Sequence, residues 1–352
     1  MTPAPLRLAI VTDAWYPQVN GVVTTMNAVI EWLRAQGHEV EIIEPSGFLT
    51  LPCPGYPEIR LAIDAHRVGR RLRAFAPDRV HIVTEGPLGR AAMRCVRRHG
   101  WQHTTSFHTR FPEYIRARVP GFPLRWGYGV LRRFHAHSSA VLVPTPQLAR
   151  DLQAWGFDRL VVWSRGVDTG LFHPGATVQT SDRRPIMLYV GRVAREKNLE
   201  AFLALDVPGT KWIVGDGPDR ARLERQYPDA IFTGYRQGRA LAACYASADV
   251  FVFPSRTDTY GVVMLEAMAC GTPVAAFPVT GPVDVVRPGV TGCLDDDLAR
   301  AIDGALTLER AACRAQAREN DWQRTAAFFL AQTVPIHADA ARAATADPAA
   351  AG

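Results

Sequence analysis

Lysine is almost absent from this chain: two residues, Lys197 and Lys211, stand against 38 arginines. A lysine where the chain otherwise uses arginine hints at a specific role for position 197. Cysteine is sparse and scattered. Cys53, Cys95, Cys244, Cys270, Cys293 and Cys313 form no CxxC pair and no Cys/His cluster at metal-ligand spacing, which argues against a zinc site or a disulfide framework and fits a reducing compartment. Long apolar runs are missing as well. No stretch approaches the roughly 20 residues that span a bilayer, and Met1–Val11 has neither a basic n-region nor the apolar core of a signal peptide. A cytoplasmic protein, peripheral at most on the inner face of the plasma membrane, is expected. Also absent are a P-loop, a Ser-His-Asp or Cys-His constellation, a repeat of solenoid period and an Asp-x-Asp metal motif in a suitable loop. The run Asp295-Asp296-Asp297 most simply caps the helix that starts at Leu298. Neither a catalytic metal nor a cofactor is expected.

What is present is an ordinary globular composition, 47% hydrophobic and 21% charged over 352 residues, enough for two domains. Its charge is uneven. Residues 1–170 carry 21 arginines and 13 acids, a net +8, whereas residues 171–352 carry 19 bases and 21 acids, a net −2. The basic half suits nucleic acid, an anionic membrane surface or an acidic substrate, and equally a solvated arginine-rich surface. Short β-branched runs alternate with amphipathic segments: Leu8–Val11, a helix over Val22–Gln36, Glu39–Ile43, a helix over Asp64–Phe75, Arg79–Val83, a helix over Leu88–Gly100, Thr104–Phe107, a helical stretch over Leu124–His137, Ala140–Val143 and Leu160–Trp163. The pattern restarts with Ile186–Val190, Trp212–Val214, Ala230–Phe232, Val250–Phe253 and Val274–Ala276, with helices between. Such alternation gives βαβ units and parallel sheets, hence an α/β chain of two open Rossmann-like domains. Ligands in these sheets bind beyond the carboxyl ends of the strands, which predicts a cleft between facing loops of the two domains.

The most informative stretch is Pro254-Ser-Arg-Thr-Asp258-Thr-Tyr260-Gly261-Val262-Val263-Met-Leu-Glu266-Ala-Met-Ala-Cys-Gly-Thr-Pro273. Asp258 lies in a loop before a helix, Gly261 lets backbone approach a ligand, and Glu266 sits one turn into that helix. Bare amides at a helix start bind anions and sugar oxygens, and each carboxylate accepts two hydroxyls of a polyhydroxylated ligand. Asp258 as an ordinary N-cap is the plain alternative. Gly191-Arg192-Val193-Ala194-Arg195-Glu196-Lys197 follows a strand, so Arg192 and Lys197 can converge on a diphosphate, or else form a solvated surface pair. Gly215-Asp216-Gly217-Pro218 is a turn after a strand. With Arg220 where a third glycine belongs, it is no dinucleotide fingerprint. In the first half, Asn20-Gly21 follows the first strand and opens a helix, and Ser106-Phe107-His108 ends a strand, where a lone histidine is more often structural. Between Glu113 and His137, arginines interleave with Tyr114, Phe122, Trp126, Tyr128 and Phe134. Membrane contact, inward packing of the aromatics and a single-strand nucleic-acid platform all fit that pattern.

Taken together, these motifs resemble the retaining, two-domain (GT-B) glycosyltransferases of family four over about Leu6 to Leu330. In that family two acids eight residues apart flank a glycine turn. Here the first is Asp258 where most members carry glutamate, and the form Ser-Arg-Thr-Asp-Thr-Tyr-Gly is similar to the branch containing GDP-mannose-dependent α-mannosyltransferases and sulfoquinovosyl-diacylglycerol synthases. The resemblance implies an acceptor-binding domain over 1–168, a nucleotide-sugar domain over 169–320, a helix over 321–336 returning to the first domain, and a disordered tail over 337–352. It implies that Arg192 and Lys197 hold the donor diphosphate, that Asp258 grips sugar hydroxyls, and that His108 hydrogen-bonds the donor sugar. Glu266 would bind the ribose, and Asn20, Gly21, Gly191, Gly215, Gly217, Tyr260, Gly261, Val262 and Val263 would complete the donor pocket. The expected reaction moves a hexose, mannose from GDP-mannose first, from a nucleotide-diphosphate sugar to a lipid or saccharide hydroxyl. It needs no metal. An anionic membrane surface is the expected further partner of the N-terminal domain, and no nucleic acid is expected. UDP-sugar donors, a phosphorylase-like or sucrose-type reaction, and a non-catalytic nucleotide- or nucleic-acid-binding protein are the alternatives.

Overall fold

The computed structural model describes residues 4–18, 20–53, 56–175, 177 and 182–337. All of the tail expected over 337–352 except His337 lies outside them. The chain forms two compact units. The first takes the described residues of Met1–His108, Pro123–Ser164 and Gln323–Gly352, and the second takes those of Thr109–Phe122 and Arg165–Trp322.

In the first unit the strands β1 (Arg7–Val11), β2 (Glu39–Ile43), β5 (Arg79–Ile82), β6 (Thr104–Ser106), β7 (Ala140–Val143) and β8 (Leu160–Val162) make one parallel sheet, in the order β2-β1-β5-β6-β7-β8. Beyond Arg7, β1 is apolar on both faces, as is β7, which suits a sheet covered on two sides, whereas the buried inner strand β6 is Thr-Thr-Ser. The helix Gly21–Ala35 returns the chain from β1. Asn20 caps it, its side chain accepting from Val22 N and Val23 N. Between β2 and β5 lies an antiparallel hairpin, β3 (Thr50–Cys53) and β4 (Tyr56–Ala62), which the sequence did not announce. Pro52 and Pro57 fall within these strands, and a two-stranded ribbon outside the main sheet tolerates them.

The sheet of the second unit is also parallel. Its strands are β9 (Ile186–Val190), β10 (Thr210–Val214), β11 (Ile231–Gly234), β12 (Val250–Phe253), β13 (Val274–Ala276) and β14 (Gly292–Leu294), in the order β11-β10-β9-β12-β13-β14. Every residue of β9, β12 and β13 is buried. The order reverses between β9 and β12. Loops leaving two neighbouring strands diverge at that switch point and open a crevice at their carboxyl ends.

The helix Trp322–Gln332 extends into the first unit, where its side chains fill a gap beneath the sheet. Phe329 is fully buried, its ring 5.0 Å from Trp163 and 4.8 Å from His81. Trp163 Nε1 donates to Thr325 O at 3.0 Å, and Arg79 Nη1 donates to Leu330 O and Thr333 O, each at 2.9 Å. Truncating Phe329 to alanine is expected to cost about 3–5 kcal/mol, read from denaturant unfolding. A loss below about 1 kcal/mol would show that the helix adds little to this core.

Candidate active site

Asp258 and Lys197, 61 residues apart in sequence, meet across the switch point of the second sheet. Lys197 sits in a single 3₁₀ turn, Arg195–Lys197, on the loop after β9, and Asp258 lies on the loop after β12. Lys197 Nζ stands 2.5 Å from Asp258 Oδ1, with the two side chains only 20% and 13% exposed. Burial, the largest influence on the ammonium, lowers its pKa. The Asp258 carboxylate and the Tyr114 and Tyr189 hydroxyls together outweigh that, so Lys197 is held above its ordinary value. The two loops are further tied by Asn198 Nδ2, which donates to Pro254 O at 3.0 Å. Asp258 caps no helix, and Lys197 is no solvated surface residue: both plain alternatives fail on this contact.

The glycines of the neighbouring loops have a packing reason. Gly215 has a φ of +142°, and a Cβ there would lie 1.9 Å from the carbonyl oxygen of Gly191. Gly217 faces Val193 O in the same way, at 2.3 Å. The loops after β9 and β10 are thus pressed backbone to backbone, joined by Gly191 N to Val214 O and Val193 N to Asp216 O. Arg192 leaves the same β9 loop half-buried, its carbonyl accepting from the Tyr189 hydroxyl at 2.8 Å.

Gly261 is the N-cap of the helix Val262–Ala269, with a φ of +85° that only glycine adopts without strain. A Cβ there would meet Met264 Cε and the Phe253 ring within 3 Å. Among the described residues no side chain caps this helix, so the amides of Val262 and Val263 stand at its start with the positive end of the helix dipole. Tyr260, buried beside it, carries Arg165 near its ring, the guanidinium carbon 6.0 Å from the centroid. Glu266, one turn in, receives the Tyr245 hydroxyl on Oε2 at 2.8 Å. Burial raises its pKa from 4.5 to about 7, and the tyrosine bond offsets only part of that rise. Sequence reasoning missed Tyr245 because nothing in the helix Gly238–Ser247 marks it out.

The remaining residues of interest belong to the first unit. Asn20 engages the Val22 and Val23 amides itself, so these are already satisfied at the start of the helix that opens at Gly21. His108 follows β6, half-buried, its ring 6.4 Å from Trp163. At the switch point of this sheet, between β1 and β5, Asp13 accepts from Leu88 N, Gly89 N and the Thr84 hydroxyl at 2.8–3.2 Å. Burial pushes its carboxyl up. The interleaved stretch divides: Tyr128 is buried and stacked on Trp155 at 4.5 Å, whereas Trp126 is 64% exposed. Among the described residues no group of three or more His, Cys, Asp or Glu side chains has metal-holding geometry.

The raised Glu266 pKa has a stability consequence. Between about 4.5 and 7 the folded chain holds a proton that the unfolded chain releases, so this contribution is full below about 4.5 and is lost as pH rises through about 7. Glu266→Gln keeps a partner for Tyr245 without the charge. Its melting point relative to wild type is expected to be higher at pH 8 than at pH 5.5, and an equal difference at both would contradict this environment. Gly215→Ala, forced against a neighbouring backbone, is expected to lose more than about 2 kcal/mol. A neutral result by denaturant unfolding would contradict the contact.

Both halves of the chain match known families. Residues 184–308 match the family described as "Glycosyl transferases group 1", and residues 19–171 match "Glycosyltransferase Family 4". The chain is 35% identical, over 82% of its length and 83% of the relative's, to a GDP-mannose-dependent alpha-mannosyltransferase of Mycobacterium tuberculosis. It is 30% identical to a sulfoquinovosyl transferase of Arabidopsis thaliana, over 82% of this chain and 64% of that one. The fold is that of a solved sucrose-phosphate synthase from Thermosynechococcus elongatus, with a TM-score of 0.77 at 21% identity, covering 93% of this chain and 98% of the other. Sequence matches on both halves and a doubly wound second sheet with charged loops at its switch point make this chain a member of the family 4 glycosyltransferases, a glycosyltransferase with two Rossmann-like units.

Proposed function

We propose that the chain transfers mannose from GDP-mannose, with retention at the anomeric carbon, to a hydroxyl of a lipid-linked acceptor at a membrane surface. The observation that carries the reading is the Lys197–Asp258 pair at the switch point, in a chain whose 35% identical relative bears the name of a GDP-mannose-dependent enzyme. Lys197 and Arg192, on one loop, stabilise the charge that develops on the departing diphosphate, with the dipole and bare amides of Val262 and Val263. Asp258 accepts sugar hydroxyls, and Glu266 accepts those of the ribose. The bond from the anomeric carbon to the phosphate oxygen breaks, a bond to the acceptor oxygen forms on the same face, and the leaving phosphate takes the acceptor's proton. No side-chain base is required, and no metal or cofactor is given a part.

A membrane-borne acceptor is supported by the surface of the first unit. Leu49, Leu51 and Ile63 are 65%, 56% and 60% exposed on or beside the β3–β4 hairpin, where Ile63 N bonds Leu49 O. The helices Val68–Phe75 and Pro87–His99 carry seven arginines and no acid. Apolar side chains beside basic helices suit an anionic bilayer. Among the described residues no helix is long and apolar enough to cross a membrane.

Two measurements test this reading. GDP and GDP-mannose at 100 times Kd are expected to add about 2.7 kcal/mol of stability, seen as a raised melting point, while UDP and ADP add none. A shift with UDP alone would transfer the reading to a UDP-sugar donor. In flotation, vesicles containing phosphatidylglycerol are expected to carry the protein and pure phosphatidylcholine vesicles to leave it behind. Indifference to anionic lipid would remove the membrane from the account.

A further inference from the structure

The segment Thr109–Phe122 joins the second unit although it precedes the rest of that unit by more than 40 residues. Side chains at Arg110 and Tyr114 are among those that tie it there. Arg110 Nη2 donates to Thr280 Oγ1 at 2.9 Å on the loop after β13, and the Tyr114 hydroxyl donates to Asp258 Oδ1 at 3.5 Å, a long hydrogen bond, on the loop after β12. Lys197 Nζ reaches the same oxygen from the loop after β9. Two donors from different elements therefore converge on one oxygen of one carboxylate. Among the described residues nothing bonds Oδ2, and the Asp258 side chain keeps 13% exposure. A carboxylate offers lone pairs on both oxygens, so pinning one fixes where the other points. Aspartate, a methylene shorter than glutamate, has fewer torsions to readjust. Burial pushes the Tyr114 hydroxyl up to about 12, so at neutral pH it keeps its proton and donates.

We propose that Tyr114 is a positioning residue for sugar transfer. With Lys197 it anchors Oδ1 of Asp258, so that Oδ2 meets the hydroxyls of the donor sugar in one orientation and separates epimeric hexoses. The inference rests on the reading that the loop after β12 holds the donor sugar. A site organised around one hydroxyl discriminates strongly against a sugar that presents it differently, and small misplacement of such a group lowers the rate.

The test is steady-state transfer with GDP-mannose and GDP-glucose, which differ only at C2, for wild type, Tyr114→Phe, Asp258→Asn and the double variant. Tyr114→Phe is expected to keep the melting point and the affinity for GDP. Its kcat with GDP-mannose should fall about tenfold with little change in KM, the scale of one lost hydrogen bond to a charged group, and its preference for mannose over glucose should narrow. Because Tyr114 acts through Asp258, the double variant should be no slower than Asp258→Asn alone. Unchanged kcat and preference in Tyr114→Phe, or multiplying defects in the double variant, overturn the proposal. If Asp258→Asn transfers like wild type, the donor-site reading falls and this inference with it. If Asp258→Asn is inactive while Tyr114→Phe is normal, only the role of Tyr114 falls.

Discussion

An ion pair between Lys197 and Asp258 holds the candidate site together. Its members come from loops that leave adjacent strands in opposite directions, where the order of the second sheet reverses. Such loops have no reason of their own to approach, and the charge pair, with the Asn198 bond to Pro254, gives them one. The pair is largely withdrawn from solvent, so removing either partner strands a charge at a typical cost of about 3–5 kcal/mol. The arrangement also keeps an ammonium charged at the place where a leaving diphosphate would need it. One interaction therefore links the topology of the sheet to the chemistry of its mouth.

Around this pair the surrounding loops are set by backbone packing. Gly215 and Gly217 let two loops lie against each other, so these glycines act before any ligand arrives. Gly261 turns the chain through a left-handed conformation and presents uncapped amides. Glu266 follows a different logic: burial and Tyr245 leave it poised near neutrality, so its charge depends on what enters beside it. The site thus combines a close ion pair with a carboxyl that burial pushes up to about 7.

Much of this was legible in the sequence. Parallel strands buried on both faces read as apolar runs, and Ile186–Val190, Val250–Phe253 and Val274–Ala276 stand at the ends expected of them. Asp258 and Lys197 stood out by residue type, by loop position and by the resemblance to family four, and the structure brings them into contact. The β3–β4 hairpin was not legible, because its prolines speak for a loop and only ribbon pairing rescues them. The partners of Tyr114 and Tyr245 were hidden for another reason. Each tyrosine bonds a partner distant in sequence, 144 and 21 residues away, and neither lies in a family motif. The arginine–aromatic stretch left several readings open, and the structure divides it: Tyr128 packs inward to stack on Trp155, while Trp126, two residues earlier, is exposed.

The most direct test of the account is a crystal structure of the protein with GDP-mannose bound. The account predicts the diphosphate against Lys197, Arg192 and the Val262 and Val263 amides, the ribose at Glu266, and a mannose hydroxyl on Asp258 Oδ2. Nucleotide density away from the carboxyl ends of β9 and β12, with the Lys197–Asp258 pair untouched, would contradict it.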